Sequence, residues 1–329
     1  MPSDRMRVAV IGVGHLGRHH ARILSTLDGA ELVAVVDTLP GRAAQIAAGT
    51  GARALTDYRE IVGHVDAVTI AVPTEQHREV ALPFLATGTA VLVEKPMARS
   101  LAEADELLAA ALASGATLAV GHTERYNPAV AAVMPLVTSP RFIEVHRLGV
   151  FPERSLDIDV VFDLMIHDLD VILSLVRSDV VAIEAVGVPV LTPKYDIANA
   201  RLRFDSGCIA NVTASRISFE KVRKIRVFQS NAYLSLDYQN QEGMIYRKDG
   251  GRIVREKLPL EKDEPLKLEL ASFLECVRAS RQPLVPGEHG RQALRVASEI
   301  TRLCRENPLY HDAIEEQRKS APIDLGKLM

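Results

Sequence analysis

Two ionisable side chains stand four positions apart inside a largely apolar segment of the chain. They are Asp163 and His167, in the stretch FDLMIHDLD (162–170) of a run from Ile158 to Val176. Burying an ionisable group is costly unless a partner compensates for its charge. On a helix the two side chains would be close enough to interact, and the carboxylate would orient the imidazole ring. A histidine held in this way is typical of a general base.

The helical pattern of the same segment places its polar residues in one stripe. At about 100° per residue, Asp159, Asp163, His167 and Asp170 fall within roughly an 80° arc, and Asp168 lies on the opposite side. The other positions are Val, Ile, Leu, Phe and Met, which indicates a helix packed on most of its sides. The stripe is either a narrow solvent-facing edge or one wall of a cleft, and we predict the cleft.

A glycine motif follows the first predicted strand and begins the first predicted helix. The stretch GVGHLG (12–17) comes after the apolar RVAVI (7–11) and fits the pattern G-x-G-x-x-G. That spacing permits a tight turn, close approach of the backbone to a pyrophosphate, and close packing of helix on strand. A second apolar stretch, ELVAVVD (31–37), ends in Asp37, where an acid accepts hydrogen bonds from an adenosine ribose. The combination predicts a dinucleotide-binding domain rather than an unrelated glycine turn.

Asp37 also affects the choice of dinucleotide. A carboxylate at this position repels a 2′-phosphate, so NAD is predicted in preference to NADP. Arg42 follows five residues later and would soften that preference by offering a positive charge. NADP is therefore kept as an alternative.

Strands and helices alternate through residue 121, which predicts a doubly wound parallel sheet. DAVTIAV (66–72), TAVLVEK (89–95) and TLAVG (117–121) are predicted as buried strands of that sheet. Ligands bind beyond the carboxyl ends of the strands in such sheets. Lys95 closes one of these strands within the sequence EKP. It either points into the cofactor crevice or is a solvated surface lysine.

The pattern changes after the stretch GHTERYNPAV (121–130). Strands then follow one another with turns such as DSG (205–207) and DGG (249–251), and amphipathic helices come after them. We therefore predict an α/β chain of two domains. Residues 1–123 form a Rossmann dinucleotide-binding domain, and residues 124–329 form an α+β domain with a mainly antiparallel sheet.

The composition argues against several classes of function. A formal net charge of −3 gives no reason to expect a nucleic-acid partner. No apolar run is long enough to span a membrane, and the N-terminal stretch lacks the pattern of a signal peptide. The three cysteines lie far apart, without the spacing of a metal or redox site. We predict a cytoplasmic protein with reduced thiols, no metal site and no membrane partner.

The order of the motifs resembles that of the Gfo/Idh/MocA oxidoreductase family. The resemblance spans nearly the whole chain and is carried by the stretches GVGHLG (12–17), AVPTEQH (71–77), VEKPMA (93–98), GHTERYNP (121–128) and DLMIHDLD (163–170). It implies that Lys95 lies beside the nicotinamide and the reacting hydroxyl, and that Asp163 and His167 complete the catalytic site. It also implies that the second domain binds substrate and forms a subunit interface through its sheet, hence a homodimer or homotetramer.

The motifs and the resemblance together predict the residues that contact the ligands. The predicted cofactor contacts are Gly12, Gly14, His15, Leu16, Gly17, Asp37, Arg42, Pro73, Thr74, His77, Glu94 and Lys95. The predicted substrate contacts are Lys95, Arg125, Tyr126, Asn127, Arg154, His167 and Arg216. Many members of the family are glycine-rich before the D-x-x-x-H motif, where this chain has PERSLDIDVVF (152–162).

The family implies a sugar or cyclitol substrate that is oxidised at a secondary alcohol. The segment TASRISFEKVRKIRVF (213–228) holds basic residues that either grip a diphosphate or extend from a solvated strand: Arg216, Lys221, Arg223, Lys224 and Arg226. The second domain resembles most the members that oxidise the 3-hydroxyl of UDP-N-acetylglucosamine for lipid A precursor synthesis. The alternatives are a dehydrogenase of another sugar or of a cyclitol such as inositol, an NAD-dependent glycosidase, and a non-catalytic dinucleotide-binding regulator.

Overall fold

Two compact units make up the protein. The computed structural model describes residues 5–151 and 158–307. Contacts between residues divide the chain into units of two segments each: Met1–Tyr126 with Asp263–Leu294, and Asn127–Lys262 with Arg295–Met329. The α-helices within the described residues are α1 (Gly17–Leu24), α2 (Pro40–Thr50), α3 (His77–Ala86), α4 (Leu101–Ser114), α5 (Pro128–Val133), α6 (Ile166–Val176), α7 (Pro265–Arg278) and α8 (Gly287–Glu306).

The first unit contains a six-stranded parallel sheet. Its strands are β1 (Met6–Ile11), β2 (Ala30–Val36), β3 (Arg53–Leu55), β4 (Ala67–Ile70), β5 (Ala90–Glu94) and β6 (Leu118–Gly121), in the spatial order β3-β2-β1-β4-β5-β6. Every residue of β4 and β5 is buried, which is typical of parallel strands covered by helices on both faces. The order reverses between β2 and β4, on either side of β1, as in other doubly wound sheets. This confirms the predicted Rossmann fold.

Local signals set the ends of the helices in this unit. Ser100 precedes α4, and its hydroxyl accepts a hydrogen bond from the N–H of Glu103 at 3.2 Å. The helix ends at Gly115, whose φ of +71° is a conformation that glycine adopts without strain. These caps fix the length of the helix that follows the EKP segment.

Helix α7 belongs to the first unit, although it follows the second sheet in the chain. Leu270, Phe273 and Leu274 are buried in the core that also contains Val8 and Leu32 of the parallel sheet. Their spacing of three and four residues places them on one face of the helix. The sequence boundary at residue 124 puts α7 in the second domain. An amphipathic pattern shows that one face is buried, but not which core receives it.

The second unit contains an eight-stranded sheet. Its strands are β7 (Pro140–Leu148), β8 (Val180–Val188), β9 (Ile197–Phe204), β10 (Ile209–Ser215), β11 (Val222–Gln229), β12 (Ala232–Asp237), β13 (Glu242–Asp249) and β14 (Arg252–Lys257), in the order β14-β13-β12-β11-β7-β10-β9-β8. β7 is parallel to β10, and the other neighbouring strands are antiparallel. The mainly antiparallel sheet predicted from the sequence is confirmed.

The two faces of this sheet differ in burial. In β7, Ile143, Val145 and Arg147 are buried, and the residues between them are half-buried. A period of two is expected for a strand with one covered face. Helix α6 packs against β7 on the buried face, where Arg147 meets a side chain of the helix.

Residues 5–151 and 158–307 contain neither a candidate membrane-spanning helix nor a candidate metal site. None of their helices combines the length and apolar character needed to cross a membrane. No group of His, Cys, Asp and Glu within the same ranges is arranged to hold a metal ion. The three cysteines, Cys208, Cys276 and Cys304, are buried free thiols.

Candidate active site

Each glycine of the first motif meets a different steric demand. Gly12 has a φ of +81°, and a Cβ there would lie 2.7 Å from the backbone nitrogen of Val72. A Cβ at Gly17 would lie 1.8 Å from the carbonyl oxygen of Gly12, so only glycine allows α1 this close to β1. At Gly14 the nearest neighbour of an added Cβ is Nη1 of Arg42, at 3.8 Å. The open space at Gly14 fits a pyrophosphate that approaches the backbone.

The start of α1 is suited to an anion. Leu16 precedes the helix, and its apolar side chain offers no hydrogen bond to the first backbone N–H groups. His15 and Leu16 are exposed, so their side chains lie outside the turn. Nδ1 of His15 lies 3.3 Å from Nη2 of Arg18. The guanidinium of Arg18 places a positive charge at the same end of the helix. Helix N-termini with such surroundings bind phosphate groups.

Asp37 joins the end of β2 to the glycine turn. Its carboxylate is buried and accepts hydrogen bonds from the N–H of Val13 at 3.1 Å and the N–H of Leu39 at 3.0 Å. Nη1 of Arg42 lies 3.2 Å from the same carboxylate. Asp37 therefore stands at the position expected for a ribose-binding acid, and Arg42 partly neutralises it.

The turn after β4 holds further residues predicted to bind the cofactor. Pro73 is exposed and Thr74 is half-buried. His77 is only 1% exposed, with Nδ1 3.0 Å from the carbonyl oxygen of Pro96 and Nε2 3.0 Å from that of Val72. Burial lowers the pKa of His77. The ring joins the β4 turn to the EKP segment, so a cofactor contact at this position would come from the neighbouring backbone.

Lys95 leaves the end of β5 beside a buried carboxylate. Glu94 is the last residue of β5, and its carboxylate accepts hydrogen bonds from Nε2 of His20 at 3.0 Å and from the N–H of Lys95 at 3.3 Å. Glu94 pairs with Gly121 of β6, where a Cβ would lie 3.0 Å from the carboxylate. The peptide between Lys95 and Pro96 is cis. Lys95 is half-buried at the carboxyl edge of the sheet.

A buried histidine accompanies Lys95. His122 directly follows β6 and is 1% exposed. Burial and the positive charges of Lys95 and Arg125 lower the pKa of His122 to about 3. The ring is therefore neutral around neutral pH and adds no charge next to the lysine.

The helix that carries Asp163 and His167 begins with a π-helical turn. This turn spans Val161–Met165 and continues as α6 (Ile166–Val176). The sequence predicts a regular α-helix throughout, and the wider turn changes the angular spacing before His167. π turns are rare and are frequent at functional sites. Both Asp163 and His167 are half-buried and belong to the second unit, whereas Lys95 belongs to the first.

The other acidic residues of this segment anchor the helix. Asp159 precedes the helix and accepts a hydrogen bond from the N–H of Tyr195 at 3.2 Å. Asp168 accepts two hydrogen bonds from the guanidinium of Arg147 in β7, at 2.6 Å and 2.9 Å. Asp170 is 2% exposed. Of the four residues in the predicted stripe, Asp163 and His167 alone are more than marginally exposed.

The predicted substrate contacts near residue 126 are also buried. Arg125 is 5% exposed and Tyr126 is 7% exposed, both in the first unit. Asn127 belongs to the second unit, caps α5 through Oδ1, and donates from Nδ2 to the carbonyl oxygen of Tyr238 at 3.1 Å. Arg154 lies outside the described residues. The predicted substrate contacts at Arg125, Tyr126 and Asn127 would therefore be made by side chains that are largely enclosed by protein.

Arg216, which is predicted to bind substrate, lies in a buried polar cluster. Its side chain is 2% exposed and donates to Asp196 at 2.8 Å, to the hydroxyl of Thr192 at 2.9 Å and to the carbonyl oxygen of Ile158 at 2.8 Å. A buried charge is held by partners that compensate for its lost hydration. Arg216 therefore ties the start of the Asp163 helix to the loop after β8.

The other basic residues of the segment divide into two groups. Nη1 of Arg226 lies 2.7 Å from the carboxylate of Glu144 on the neighbouring strand β7. The side chains exposed to solvent are those of Lys221, Arg223 and Lys224.

Two residues near Lys95 are absent from the predicted site. His20 occupies a position on the apolar face of α1, among the buried residues Ala21, Ile23 and Leu24. A polar residue on a buried helical face is a signal that could have identified it. His122 lies in the stretch GHTERYNP (121–128), but that stretch does not show that Lys95 and His289 act on its ring.

Known proteins resemble this chain over most of its length. The model of the oxidoreductase family with an NAD-binding Rossmann fold matches residues 6–122, and the Gfo/Idh/MocA C-terminal domain matches residues 149–235. The UDP-N-acetylglucosamine 3-dehydrogenase of Acidithiobacillus ferrooxidans is 38% identical over 90% of this chain and 96% of its own. A solved structure of that enzyme covers 91% of this chain and 97% of its own, with a TM-score of 0.87. The NAD-dependent scyllo-inositol 2-dehydrogenase of Bacillus subtilis is 27% identical over 85% of this chain and 89% of its own. The chain therefore belongs to the Gfo/Idh/MocA family of NAD-binding oxidoreductases.

Proposed function

We propose that the protein oxidises the 3-hydroxyl of UDP-N-acetylglucosamine to the corresponding 3-keto sugar, with NAD as the hydride acceptor. One observation carries the proposal. A chain with a complete dinucleotide turn, Lys95, Asp163 and His167 is 38% identical, over 96% of the relative's length, to a UDP-N-acetylglucosamine 3-dehydrogenase. A non-catalytic regulator has no need of such a lysine, acid and base together.

The first unit would hold NAD through groups already in place. The pyrophosphate would lie against the backbone at Gly14 and the start of α1, and Asp37 would bind the adenosine ribose. Bound NAD supplies the acceptor carbon for the hydride. The surrounding protein orients the two reactants and handles the proton.

The proton of the reacting hydroxyl is assigned to His167 in this proposal. Asp163 would orient the ring and stabilise its positive charge after transfer. Lys95 would donate a hydrogen bond to the same oxygen and stabilise its developing negative charge. The chemistry also allows the roles of Lys95 and His167 to be exchanged. His122 stays neutral and does not compete for the proton near neutral pH.

The proposed substrate carries two negative phosphates. We assign these phosphates to the exposed side chains of Lys221, Arg223 and Lys224. The 3-keto product would pass to an aminotransferase for lipid A precursor synthesis. NAD and nucleotide sugars are cytoplasmic, and three buried free thiols agree with a reducing compartment.

We also propose that copies of the chain assemble as a homodimer or homotetramer through the half-exposed face of the second-unit sheet. On this face the rings of Phe142, Phe228, Tyr233 and Tyr246 lie in a row across four strands. Consecutive ring centroids are 5.7, 4.7 and 5.1 Å apart. Aromatic side chains are enriched at protein interfaces. Light scattering should give a multiple of the chain mass for the wild type and a smaller mass for Tyr233→Glu.

A cyclitol dehydrogenase is the second candidate. The similarity to the scyllo-inositol 2-dehydrogenase favours it, with the same Lys95, Asp163 and His167 acting on a ring hydroxyl. A UDP-N-acetylglucosamine dehydrogenase needs exposed cations such as Lys221, Arg223 and Lys224 to bind the diphosphate of its substrate. A cyclitol dehydrogenase does not need them, because a cyclitol carries no diphosphate.

The test is NADH formation from NAD and UDP-N-acetylglucosamine, with glutamate and a matching aminotransferase present to remove the ketone. We expect NADH to depend on both the nucleotide sugar and the aminotransferase. Free N-acetylglucosamine and inositol are the substrate controls. His167→Ala should reduce kcat by about 10²- to 10⁴-fold and leave NADH affinity unchanged. His64→Ala, which removes an exposed histidine of the first unit, should change neither.

Each result has a clear consequence. NADH formed from inositol alone would replace the nucleotide sugar with a cyclitol. Sugar release without net NADH would indicate an NAD-dependent glycosidase. Full activity in His167→Ala would refute the assignment of the proton to that residue.

A further inference from the structure

A buried histidine and a buried carboxylate connect the cofactor helix to the backbone of Lys95. Nε2 of His20 in α1 lies 3.0 Å from Oε1 of Glu94, and Oε2 of Glu94 accepts the N–H of Lys95 at 3.3 Å. The side chains of His20 and Glu94 are 0% and 7% exposed. Three residues before His20, Gly17 begins the helix whose N-terminus fits a pyrophosphate.

The tautomer of the His20 ring follows from its contacts. A carboxylate offers only acceptors, and Oε1 of Glu94 lies 3.0 Å from Nε2 of His20, while Oε2 accepts the N–H of Lys95. His20 must then carry its proton on Nε2. Among the residues that the structure describes, Nδ1 of His20 has no hydrogen-bond partner. The tautomer with its proton on Nε2 leaves only a lone pair unsatisfied at Nδ1, whereas the other tautomer would bury an N–H without an acceptor.

The carboxylate is also confined from the side of β6. Glu94 pairs with Gly121, and a Cβ at that position would lie 3.0 Å from both carboxylate oxygens. The position of the Glu94 carboxylate is therefore bounded by His20 on one side and by the Gly121 backbone on another. Since Oε2 of Glu94 accepts a hydrogen bond from the N–H of Lys95, the position of the carboxylate determines where the lysine leaves the strand.

We propose that His20 and Glu94 are positioning residues that fix the backbone of Lys95 and thereby place its amine at the reacting hydroxyl. The proposal rests on the catalytic role proposed for Lys95. It links the helix that binds the pyrophosphate to the lysine through two side chains. Neither residue touches substrate in this arrangement.

Two substitutions of His20 separate this role from packing. His20→Gln places an amide N–H near the former Nε2, where it reaches Glu94. His20→Asn places its amide near the former Nδ1, where it does not. Both variants lose the ring, so they lose similar packing. We expect His20→Gln to keep kcat within about threefold of the wild type and His20→Asn to lose about 10- to 100-fold, with NADH affinity and KM little changed in either variant.

A second measurement does not depend on turnover. Acetic anhydride acetylates accessible amines, and peptide mass spectrometry gives the rate at Lys95 relative to the exposed Lys257. We expect the relative rate in the NADH-loaded protein to be the same in wild type and His20→Gln, and to differ severalfold in His20→Asn. Equal relative rates in the two variants would overturn the proposal, as would equal kcat values. A wild type inactive on UDP-N-acetylglucosamine would refute the proposed substrate, and the labelling comparison would still decide the role of His20.

Discussion

Replacing Asp168 with asparagine is expected to destabilise the second unit far more than the matched replacement of Glu144 with glutamine. Asp168 pairs with Arg147 at 2.6 Å, and their side chains are 1% and 4% exposed. Glu144 lies on the same strand as Arg147 and pairs with Arg226 at 2.7 Å, but these side chains are 30% and 42% exposed. The two pairs have similar lengths and differ mainly in burial.

The magnitudes follow from the hydration that each charge has lost. Asparagine keeps the shape of Asp168 but removes the negative charge that faces the buried guanidinium, and breaking a buried ion pair in this way costs about 3–5 kcal/mol. The amide oxygen keeps one hydrogen bond, so we expect a value near the lower limit, about 3 kcal/mol. Water screens the exposed pair, and Glu144→Gln should cost less than about 1 kcal/mol.

Urea unfolding followed by circular dichroism measures both free energies, and the chain contains no tryptophan for a fluorescence signal. Equal destabilisation by Asp168→Asn and Glu144→Gln would refute the reasoning from burial. A double variant, Arg147→Met with Asp168→Leu, should recover most of the loss because it removes both buried charges. A further loss in that double variant would contradict the same account.

Three other predictions concern the first unit. Gly17→Ala should lower the free energy of unfolding by about 1–3 kcal/mol, because its Cβ would lie 1.8 Å from a carbonyl oxygen. Gly14→Ala should leave Tm unchanged and weaken NADH binding. Calorimetry and NADH titration check both variants, and a larger loss of stability in Gly14→Ala than in Gly17→Ala would contradict the prediction. Asp37→Ser should raise the ratio of kcat/KM with NADP to kcat/KM with NAD by about 30-fold or more. The substitution removes the carboxylate that repels a 2′-phosphate and releases Arg42 from a 3.2 Å ion pair. An unchanged ratio would contradict the prediction. The pKa of His122 falls from 6.5 to about 3 in the folded protein, so the unfolded chain binds a proton that the folded chain does not between these values. The free energy of unfolding should therefore decrease by about 1.4 kcal/mol per pH unit as the pH falls below 6.5. In His122→Asn this dependence on pH should be shallower, which urea unfolding at several pH values measures. The same dependence on pH in wild type and variant would contradict the prediction.

Residues next to strong local signals could be predicted from the sequence. The glycine turn, Asp37 and Lys95 each follow an apolar run that reads as a buried parallel strand, and such strands share one carboxyl edge. The turns that join successive strands in the second half likewise indicate an antiparallel sheet. These features depend on residues close to one another in the chain.

Other features depend on partners far away in the chain. The basic composition around Arg216 does not show that Asp196 and Thr192 enclose its guanidinium. The apolar face of α7 does not show that it packs beside β1 and β2. A π turn before α6 depends on how the surrounding residues pack, so periodicity alone predicts a regular helix there.

The discontinuous first unit has a consequence for biosynthesis. Its core includes Leu270, Phe273 and Leu274 of α7, which follow the 136 residues of Asn127–Lys262 in the chain. At about 5–20 residues per second, a ribosome needs about 7–27 s to make that intervening segment. During this interval the nascent parallel sheet lacks the apolar helix face that completes its core. A chaperone that shields apolar surface would therefore act on the dinucleotide-binding unit while the second sheet is being synthesised, and a fragment ending at Tyr126 would keep that surface exposed permanently.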